Sequence, residues 1–158
     1  MSRIWRLGPE RAAEWRAIRL AALAEAPDAF GSTLAEWQNR PLADFAARLS
    51  ATHSFAAGAA PGAPQAVAGW SPGDGNPDAW LIGVWARPEV RRQGLTRKLV
   101  LYVMNDAAQA GYSVMQLGVG AHNHGAQALY HSLGFRPVPH SAAPNPRGVI
   151  EITMRRKL

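Results

Sequence analysis

The chain has 158 residues, a length that favours one domain with a core of its own. Hydrophobic residues make up 47% and charged residues 18%, which excludes a disordered or fibrous chain. Lys and Arg number 17 against 11 Asp and Glu, and the net charge of +6 favours an anionic partner. Nucleic acid, a phosphorylated cofactor and plain solubility are all open explanations of this charge.

The chain has no cysteine, which excludes disulfides, thiolate metal sites and a cysteine nucleophile. The first residues, Met1 to Leu7, lack the apolar segment of a signal peptide. No apolar run approaches the roughly eighteen residues that a membrane span requires. We therefore expect a cytoplasmic protein with no membrane partner.

The first third of the chain predicts one strand followed by helices. Ser2 to Leu7 alternates as a short strand does, and Pro9 opens a helical stretch that Pro27 ends. Asp28 to Pro41 is a loop or broken helix, and Leu42 to Leu49 carries apolar residues at helical spacing. Two helices are thus expected after the first strand.

The middle of the chain predicts the centre of a sheet. Ser54 to Ala57 and Gln65 to Trp70 are short strands between turns rich in Gly and Pro, which indicates an antiparallel pair. Trp80 to Trp85 (WLIGVW) is a continuous apolar run, as expected of a central strand covered on both faces. Gly83 within this run indicates a bulge or a closely approaching ligand.

The clearest helix begins at Leu95, where apolar residues recur every fourth position until Gly111 ends the pattern. Val114 to Val119 is a further strand, and Asn123 to Leu133 is a second amphipathic helix. After a long loop, three alternating apolar residues predict a final strand: Ile150, Ile152 and Met154.

The turn between the central strand and the clearest helix carries the strongest functional signal. Glu89 to Thr96 (EVRRQGLT) leads directly into the helix, with Gly94 at its entry. Unpaired backbone N–H groups and the positive end of the helix dipole bind anions there, above all phosphate. A solvated basic helix start without a ligand is the alternative. Five cations crowd these positions: Arg87, Arg91, Arg92, Arg97 and Lys98.

Two motifs make the chain resemble the GNAT N-acetyltransferases. Pro88 to Thr96 is similar to the family's acetyl-CoA signature, Gln/Arg-x-x-Gly-x-Gly/Ala, although Thr96 stands where the family usually has Gly or Ala. Asn123 to Phe135 is similar to the family's later N-x-x-A-x-x-L-Y-x-x-L-G-F helix. The order of the predicted elements also resembles that of the family over nearly the whole chain.

The resemblance implies an α/β (α+β) fold with a single acetyltransferase domain over residues 1–158. The expected sheet is mixed but mostly antiparallel, with about seven strands and about four flanking helices. Its central strands would splay apart to bind coenzyme A.

The resemblance also implies acetyl-CoA as co-substrate and places residues around it. Arg91 or Arg92 would lie near one phosphate, with Arg97 in the same cluster. Asn123 would hydrogen-bond the pantetheine amide, a role compatible with capping its helix. Backbone N–H groups would hold the pyrophosphate at Arg92, Gln93, Gly94, Leu95 and Thr96.

The end of the central strand, Val84 to Ala86, would pair with the pantetheine arm as an added strand does. In the family a backbone N–H on this strand faces the thioester oxygen, and Trp85 or Ala86 would supply it here. Tyr130 would be the general acid that protonates the departing thiolate. A core tyrosine beside Leu129 is the alternative role of that residue.

The acceptor amine must lose a proton before it attacks, so a base or a chain of waters is required. Glu36, in the loop after the first helix, is the first choice, and Asp78 and His122 are the alternatives. Each of the three could also be only a solvated surface residue. Several aromatic residues could line the acceptor pocket or belong to the core: Phe30, Trp37, Trp70 and Trp80.

Other functions are less well supported by the sequence. The glycine patterns of Walker-type and dinucleotide-binding loops are missing, and His122 and His124 have no further ligands at metal-site spacing, so no metal is expected. A non-catalytic acyl-CoA-binding module of the same fold and a basic nucleic-acid-binding domain are the alternatives, but no DNA or RNA motif supports the latter. We expect acetyl-CoA and an amine acceptor as partners, no nucleic acid, and, from the resemblance, a homodimer.

Overall fold

The computed structural model describes residues 2–74 and 76–158. Within these residues the chain forms one sheet of eight strands and five α-helices. The strands are β1 (Arg3–Arg6), β2 (His53–Gly58), β3 (Ala66–Gly73), β4 (Asn76–Ala86), β5 (Val114–Gly120), β6 (Arg136–Pro137), β7 (Ala143–Pro144) and β8 (Ile150–Lys157). The helices are α1 (Ala12–Glu25), α2 (Leu34–Trp37), α3 (Leu42–Ala51), α4 (Leu95–Gln109) and α5 (His124–Ser132).

The strands lie in the order β1-β2-β3-β4-β5-β8-β6, and β7 also pairs with β8. All neighbouring strands are antiparallel except β4 and β5, which run parallel. The prediction of a mixed, mostly antiparallel sheet with β4 at its centre is confirmed. The sheet has eight described strands where about seven were expected, because β7 is a two-residue pairing within the stretch expected to be a loop, too short to leave an alternation in the sequence.

Two separate apolar cores lie on the two faces of the sheet. Leu99 and Val103 of α4 pack on one face, and Ile18 of α1 and Phe45 of α3 pack on the other. Each such fully buried side chain contributes roughly 1.5–3 kcal/mol. Because both faces of the central strand are covered, its sequence is apolar at successive positions and does not alternate.

The helix boundaries follow local signals. A 3-10 turn over Pro9–Arg11 precedes α1, and Pro27 follows its end. The segment expected to be a loop or broken helix contains the single-turn helix α2, whose N-cap Thr33 accepts a hydrogen bond from the amide of Glu36. Among the residues that the structure describes, none of the helices combines the length and the apolar content of a bilayer span.

Candidate active site

β4 and β5 separate along their length. In the part of the chain that the structure describes, they pair at Ala79 with Met115 and at Trp80 with Gln116, although β4 continues to Ala86. On the opposite edge of β4 the register with β3 shifts near Gly83, whose φ of +62° is a conformation that glycine adopts without strain. The bulge predicted at Gly83 is confirmed, and it lies beside the gap between the two strands.

A cavity of about 500 Å³ occupies this gap and extends beneath α1. Trp80 to Val84 form the wall on the β4 side, and Leu117 and Gly118 form it on the β5 side. The volume is within the range of small-molecule sites, roughly 300–1,000 Å³. Four groups able to move protons or carry charge line it: Arg19, Arg48, Tyr130 and Glu151.

Tyr130, near the end of α5, reaches this cavity from the α4 and α5 side of the sheet. It is 7% exposed, and its ring packs edge to face with Phe135 at a centroid distance of 6.0 Å. Burial raises the pKa of Tyr130 above its ordinary value, because the phenolate would lose hydration. The phenol is therefore protonated at neutral pH and is a proton donor in the cavity wall.

Glu151 of β8 is a cavity-lining carboxylate that the sequence analysis missed. Asn145 Nδ2 donates a hydrogen bond of 3.1 Å to one of its oxygens, Oε2. The alternation of Ile150 and Ile152 predicts a strand, and in a strand the side chain of Glu151 between them points to the opposite face. An acidic residue on the opposite face of this strand is the signal that the sequence offers for Glu151.

The three predicted bases lie elsewhere. Glu36 is exposed and bound to Thr33, the N-cap of α2: Thr33 Oγ1 donates to Glu36 Oε1 at 2.9 Å, and Glu36 N donates to Thr33 Oγ1 at 3.1 Å. Asp78 is buried and accepts from Gln116 Nε2 at 2.6 Å and Arg155 Nε at 3.4 Å. His122 is exposed. None of the three lines the described cavity, so the geometry does not support them as the base.

The aromatic residues considered for the acceptor pocket divide into two groups. Phe30 and Trp80 line the cavity. Trp37 packs edge to face on Phe45 at 5.1 Å within the α1–α3 core, and Trp70 is fully buried with its indole N–H donating to Asp106 at 2.8 Å. Trp37 and Trp70 are therefore structural.

The turn before α4 has the geometry of an anion site. Gly94 is the N-cap of α4 with φ of +79°, and Arg92 also has a positive φ, +63°. The backbone N–H groups from Arg92 to Thr96 donate no hydrogen bond within the described chain. Such unpaired donors at a helix N-terminus bind phosphate. Beside them is a depression of about 330 Å³, lined in part by Gln93, Gly94, Leu95 and Lys98.

The basic side chains of this turn have different partners. Arg91 is turned inward: its Nη2 lies 2.8 Å from Glu25 Oε1 and its Nε donates to the carbonyl of Ala86 at 3.0 Å. Both Arg91 and Arg92 are exposed, but the guanidinium of Arg91 is already bound to α1 and β4. The position of Arg91 beside a phosphate stays a prediction. Arg97 Nη1 donates to Ser132 Oγ at 2.7 Å, which ties α4 to α5.

Asn123 is the N-cap of α5, where its Oδ1 accepts from Ala126 N at 3.1 Å. The capping role predicted for it is confirmed, and its amide nitrogen remains available as a donor.

The amides at the end of β4 alternate between two edges. Directly after β4, the amide of Arg87 donates to the carbonyl of Gln65 on the β3 side at 2.9 Å. Because successive amides of a strand point to opposite edges, the amide of Ala86 faces the gap and that of Trp85 faces β3. In the described part of the chain, no group of three or more His, Asp or Glu residues could hold a metal ion.

Comparisons with known proteins agree with this geometry. Residues 14–135 match the sequence model of the Acetyltransferase (GNAT) family. Over 58 residues the chain is 38% identical to the [Ribosomal protein bS18]-alanine N-acetyltransferase of Escherichia coli strain K12, a match that spans 37% of this chain and 39% of that enzyme.

Solved structures resemble the whole chain. The ribosomal-protein-S18-alanine N-acetyltransferase from Escherichia coli has a TM-score of 0.70 at 23% identity, over 99% of this chain and 94% of that one. The yncA protein of Salmonella typhimurium, solved with its cofactor acetyl-CoA, has a TM-score of 0.75 at 22% identity, over 100% and 94%. An acetyltransferase of the GNAT family from Streptococcus pneumoniae has a TM-score of 0.81 at 16% identity, over 100% of both chains. At these identities the likeness shows the fold alone.

Proposed function

The chain belongs to the GNAT acetyltransferase family, and from this premise we propose that it transfers the acetyl group of acetyl-CoA directly to a primary amine. One observation carries the proposal. A proton donor, Tyr130, and a carboxylate, Glu151, line one cavity in the gap between β4 and β5. Direct transfer is favoured because the chain has no cysteine to carry an acyl group.

The residues present fit the co-substrate. When bound, acetyl-CoA supplies an activated acetyl group as a thioester. The unpaired amides from Arg92 to Thr96 would hold the pyrophosphate, and the exposed side chain of Arg92 would add charge. The amide nitrogen of Asn123 and the gap-facing edge of β4, Val84 to Ala86, would hold the pantetheine arm.

The gap-facing amide of Ala86 is a suitable donor for the negative charge that develops on the thioester oxygen. Fixed backbone donors of this kind are among the largest contributors to acyl-transfer catalysis. The alternation of amides along β4 favours Ala86 over Trp85 for this role.

Glu151 would accept the proton that the cationic acceptor amine must lose before attack. Its carboxylate lines the cavity and is oriented by Asn145, whereas Glu36 is engaged in the cap of α2. Tyr130 would donate its proton to the sulfur of the departing thiolate. Since burial raises the pKa of Tyr130, the phenol carries its proton at neutral pH. For the same reason, complete transfer of this proton to the thiolate costs more free energy than transfer from an exposed phenol.

A thiol-release assay with acetyl-CoA and a panel of primary amines tests the proposal. We expect amine-dependent release of coenzyme A, and intersecting lines in double-reciprocal plots with both substrates varied, because donor and acceptor must be bound together. Parallel lines or an isolable acetyl-enzyme would contradict direct transfer. Acetyl-CoA binding by calorimetry without release for any amine would instead indicate a non-catalytic module.

A further inference from the structure

Two arginines line the same cavity as Tyr130 and Glu151: Arg19 of α1 and Arg48 of α3. The guanidinium carbon of Arg19 lies 4.8 Å from the centre of the Phe30 ring. Its Nη1 stands 4.0 Å from the position that a Cβ on Gly83 would take. The guanidinium of Arg19 is thus held between an aromatic wall and the bulge of β4.

Arg19 is half-buried, and part of its guanidinium lacks the hydrogen-bond partner that a buried donor ordinarily has. Its Nε is buried without a hydrogen bond among the described residues, and neither Arg19 nor Arg48 forms an ion pair with a carboxylate there. Burial, and then the charge of Arg48, lower the pKa of Arg19 to about 10, so it is still a cation at neutral pH. A buried donor without a protein partner destabilises the folded chain, and an acceptor of negative charge bound beside Arg19 would offset that cost.

We propose that Arg19 and Arg48 bind a carboxylate on the acceptor itself, so that the acceptor is a small amino carboxylic acid. This inference rests on the proposed function, because it identifies the substrate class of the same cavity. Guanidinium groups bind carboxylates through paired, charge-assisted hydrogen bonds. Glu151 supplies the opposite charge for the amine, so the cavity presents both signs to a zwitterion.

The cavity dimensions favour a small acceptor over a protein chain. About 500 Å³ accommodates an amino acid beside the reactive end of the co-substrate. The N-terminal amine of a protein has an amide where an amino acid has its carboxylate, so it would leave the two arginines unpaired. Acetylation of peptides is therefore an outcome that the experiment must distinguish.

The experiment compares kcat/KM for acceptors matched except for the carboxylate. L-Alanine, L-leucine and L-phenylalanine are compared with their amides, and 4-aminobutanoate with butylamine, at a fixed acetyl-CoA concentration and pH. We expect the acids to be preferred by roughly ten- to a hundredfold, as for a charge-assisted hydrogen bond. The amine of an amino acid amide is less basic than that of the acid, so amine protonation biases the comparison against this result.

Variants identify the groups responsible. Arg19→Gln and Arg48→Gln should each lose most of the preference for acids, and Arg19→Lys should keep part of it. Arg16→Gln is the matched control, because Arg16 lies on the same helix over the ring of Phe45 and outside the cavity. Unchanged acetyl-CoA affinity by calorimetry in each variant shows that the fold is retained.

Equal kcat/KM for acids and amides, or a preference that survives both Gln variants, would overturn the inference. So would faster acetylation of short peptides than of every acid in the panel. If no amine is acetylated although acetyl-CoA binds, the proposed function fails. In that case, calorimetry measures the Kd of L-phenylalanine and of L-phenylalanine amide for the complex of the protein with coenzyme A. Tighter binding of the acid would still show that the arginines select a carboxylate, and equal binding would contradict it.

Discussion

The carboxylate of Glu151 lies over Gly118 of the neighbouring strand: its Oε1 stands 3.3 Å from the position that a Cβ on Gly118 would take. The missing side chain at Gly118 leaves room for this carboxylate beside the cavity. Asn145 holds the other oxygen at 3.1 Å. The orientation of Glu151 is thus set by Asn145, in the space that Gly118 leaves open.

We expect Glu151→Gln to lower kcat by about a hundredfold or more for strongly basic amines, as for the loss of a general base. The defect should shrink for weakly basic amines such as hydroxylamine, which are already neutral at the assay pH. Steady-state kinetics over amines of graded basicity check this. Glu36→Gln is the control, because the carboxylate of Glu36 lies at the exposed start of α2. A loss of activity in Glu36→Gln but not in Glu151→Gln would identify Glu36 as the general base.

We expect Tyr130→Phe to lower kcat by roughly a hundredfold to ten-thousandfold while acetyl-CoA affinity changes little. The ring would keep its packing against Phe135, so the stability should be close to that of the parent. Parental turnover in this variant, with the chemical step shown to be rate-limiting, would reduce Tyr130 to a packing residue.

The pH profile of kcat gives a separate prediction for the same tyrosine. The active form is protonated, and burial raises the pKa of Tyr130, so the activity is present at lower pH and is lost only as pH rises through that elevated pKa. We expect no decline attributable to Tyr130 below about pH 10, the ordinary value for a phenol. A decline at lower pH that disappears in Tyr130→Phe would contradict this assignment.

Gly94→Val should weaken acetyl-CoA binding by roughly tenfold or more, because the turn that presents the amides would be strained. A Cβ there would meet no protein atom within 4 Å, so the effect would come from the φ of +79° rather than from crowding inside the protein. Gly111→Val is a matched control at the other end of α4, also with open space and a φ of +100°. Calorimetry should show weaker binding only for Gly94→Val.

Arg91 should contribute to stability more than to co-substrate affinity, because Glu25 receives both its guanidinium at 2.8 Å and the indole N–H of Trp85 at 2.9 Å. A double-mutant cycle of Arg91→Gln and Glu25→Gln should give a coupling energy of about 0.2–1 kcal/mol, as expected for partly exposed ion pairs. Arg92→Gln should instead raise the Kd for acetyl-CoA, with an effect that declines at high salt. The reverse pattern would place Arg91 on the phosphate.

The fold could be predicted where a local sequence pattern matched the burial and the backbone conformation that the segment has in the folded chain. The apolar run from Trp80 to Trp85 indicated the central strand because both faces of that strand are covered. Gly83 indicated the bulge, and Gly94 indicated the helix entry with its unpaired amides, since both are consequences of local backbone chemistry. The two-residue strand β7 lies in the stretch expected to be a loop, and it could not be predicted because its pairing depends on β8.

The acceptor side of the site could not be predicted in the same way. Glu151 reaches the cavity from the last strand, and Arg19 is one of several polar residues of an amphipathic helix, so its sequence position does not distinguish it from them. Their convergence depends on the order of strands and on the packing of α1, neither of which is a local pattern. Glu36 was chosen from chain position, and the local capping interaction with Thr33 accounts for that acid.

The short ladder between β4 and β5 has a consequence for how the protein unfolds. Among the described residues, two residue pairs join β1–β4 to β5–β8 within the sheet, so the cohesion between the two halves depends largely on the helices. A pantetheine arm paired along β4 would act as a missing strand between them. Co-substrate at a hundred times its Kd would then add about 2.7 kcal/mol to the free energy of unfolding, and slower amide hydrogen exchange would appear in strands on both sides of the gap.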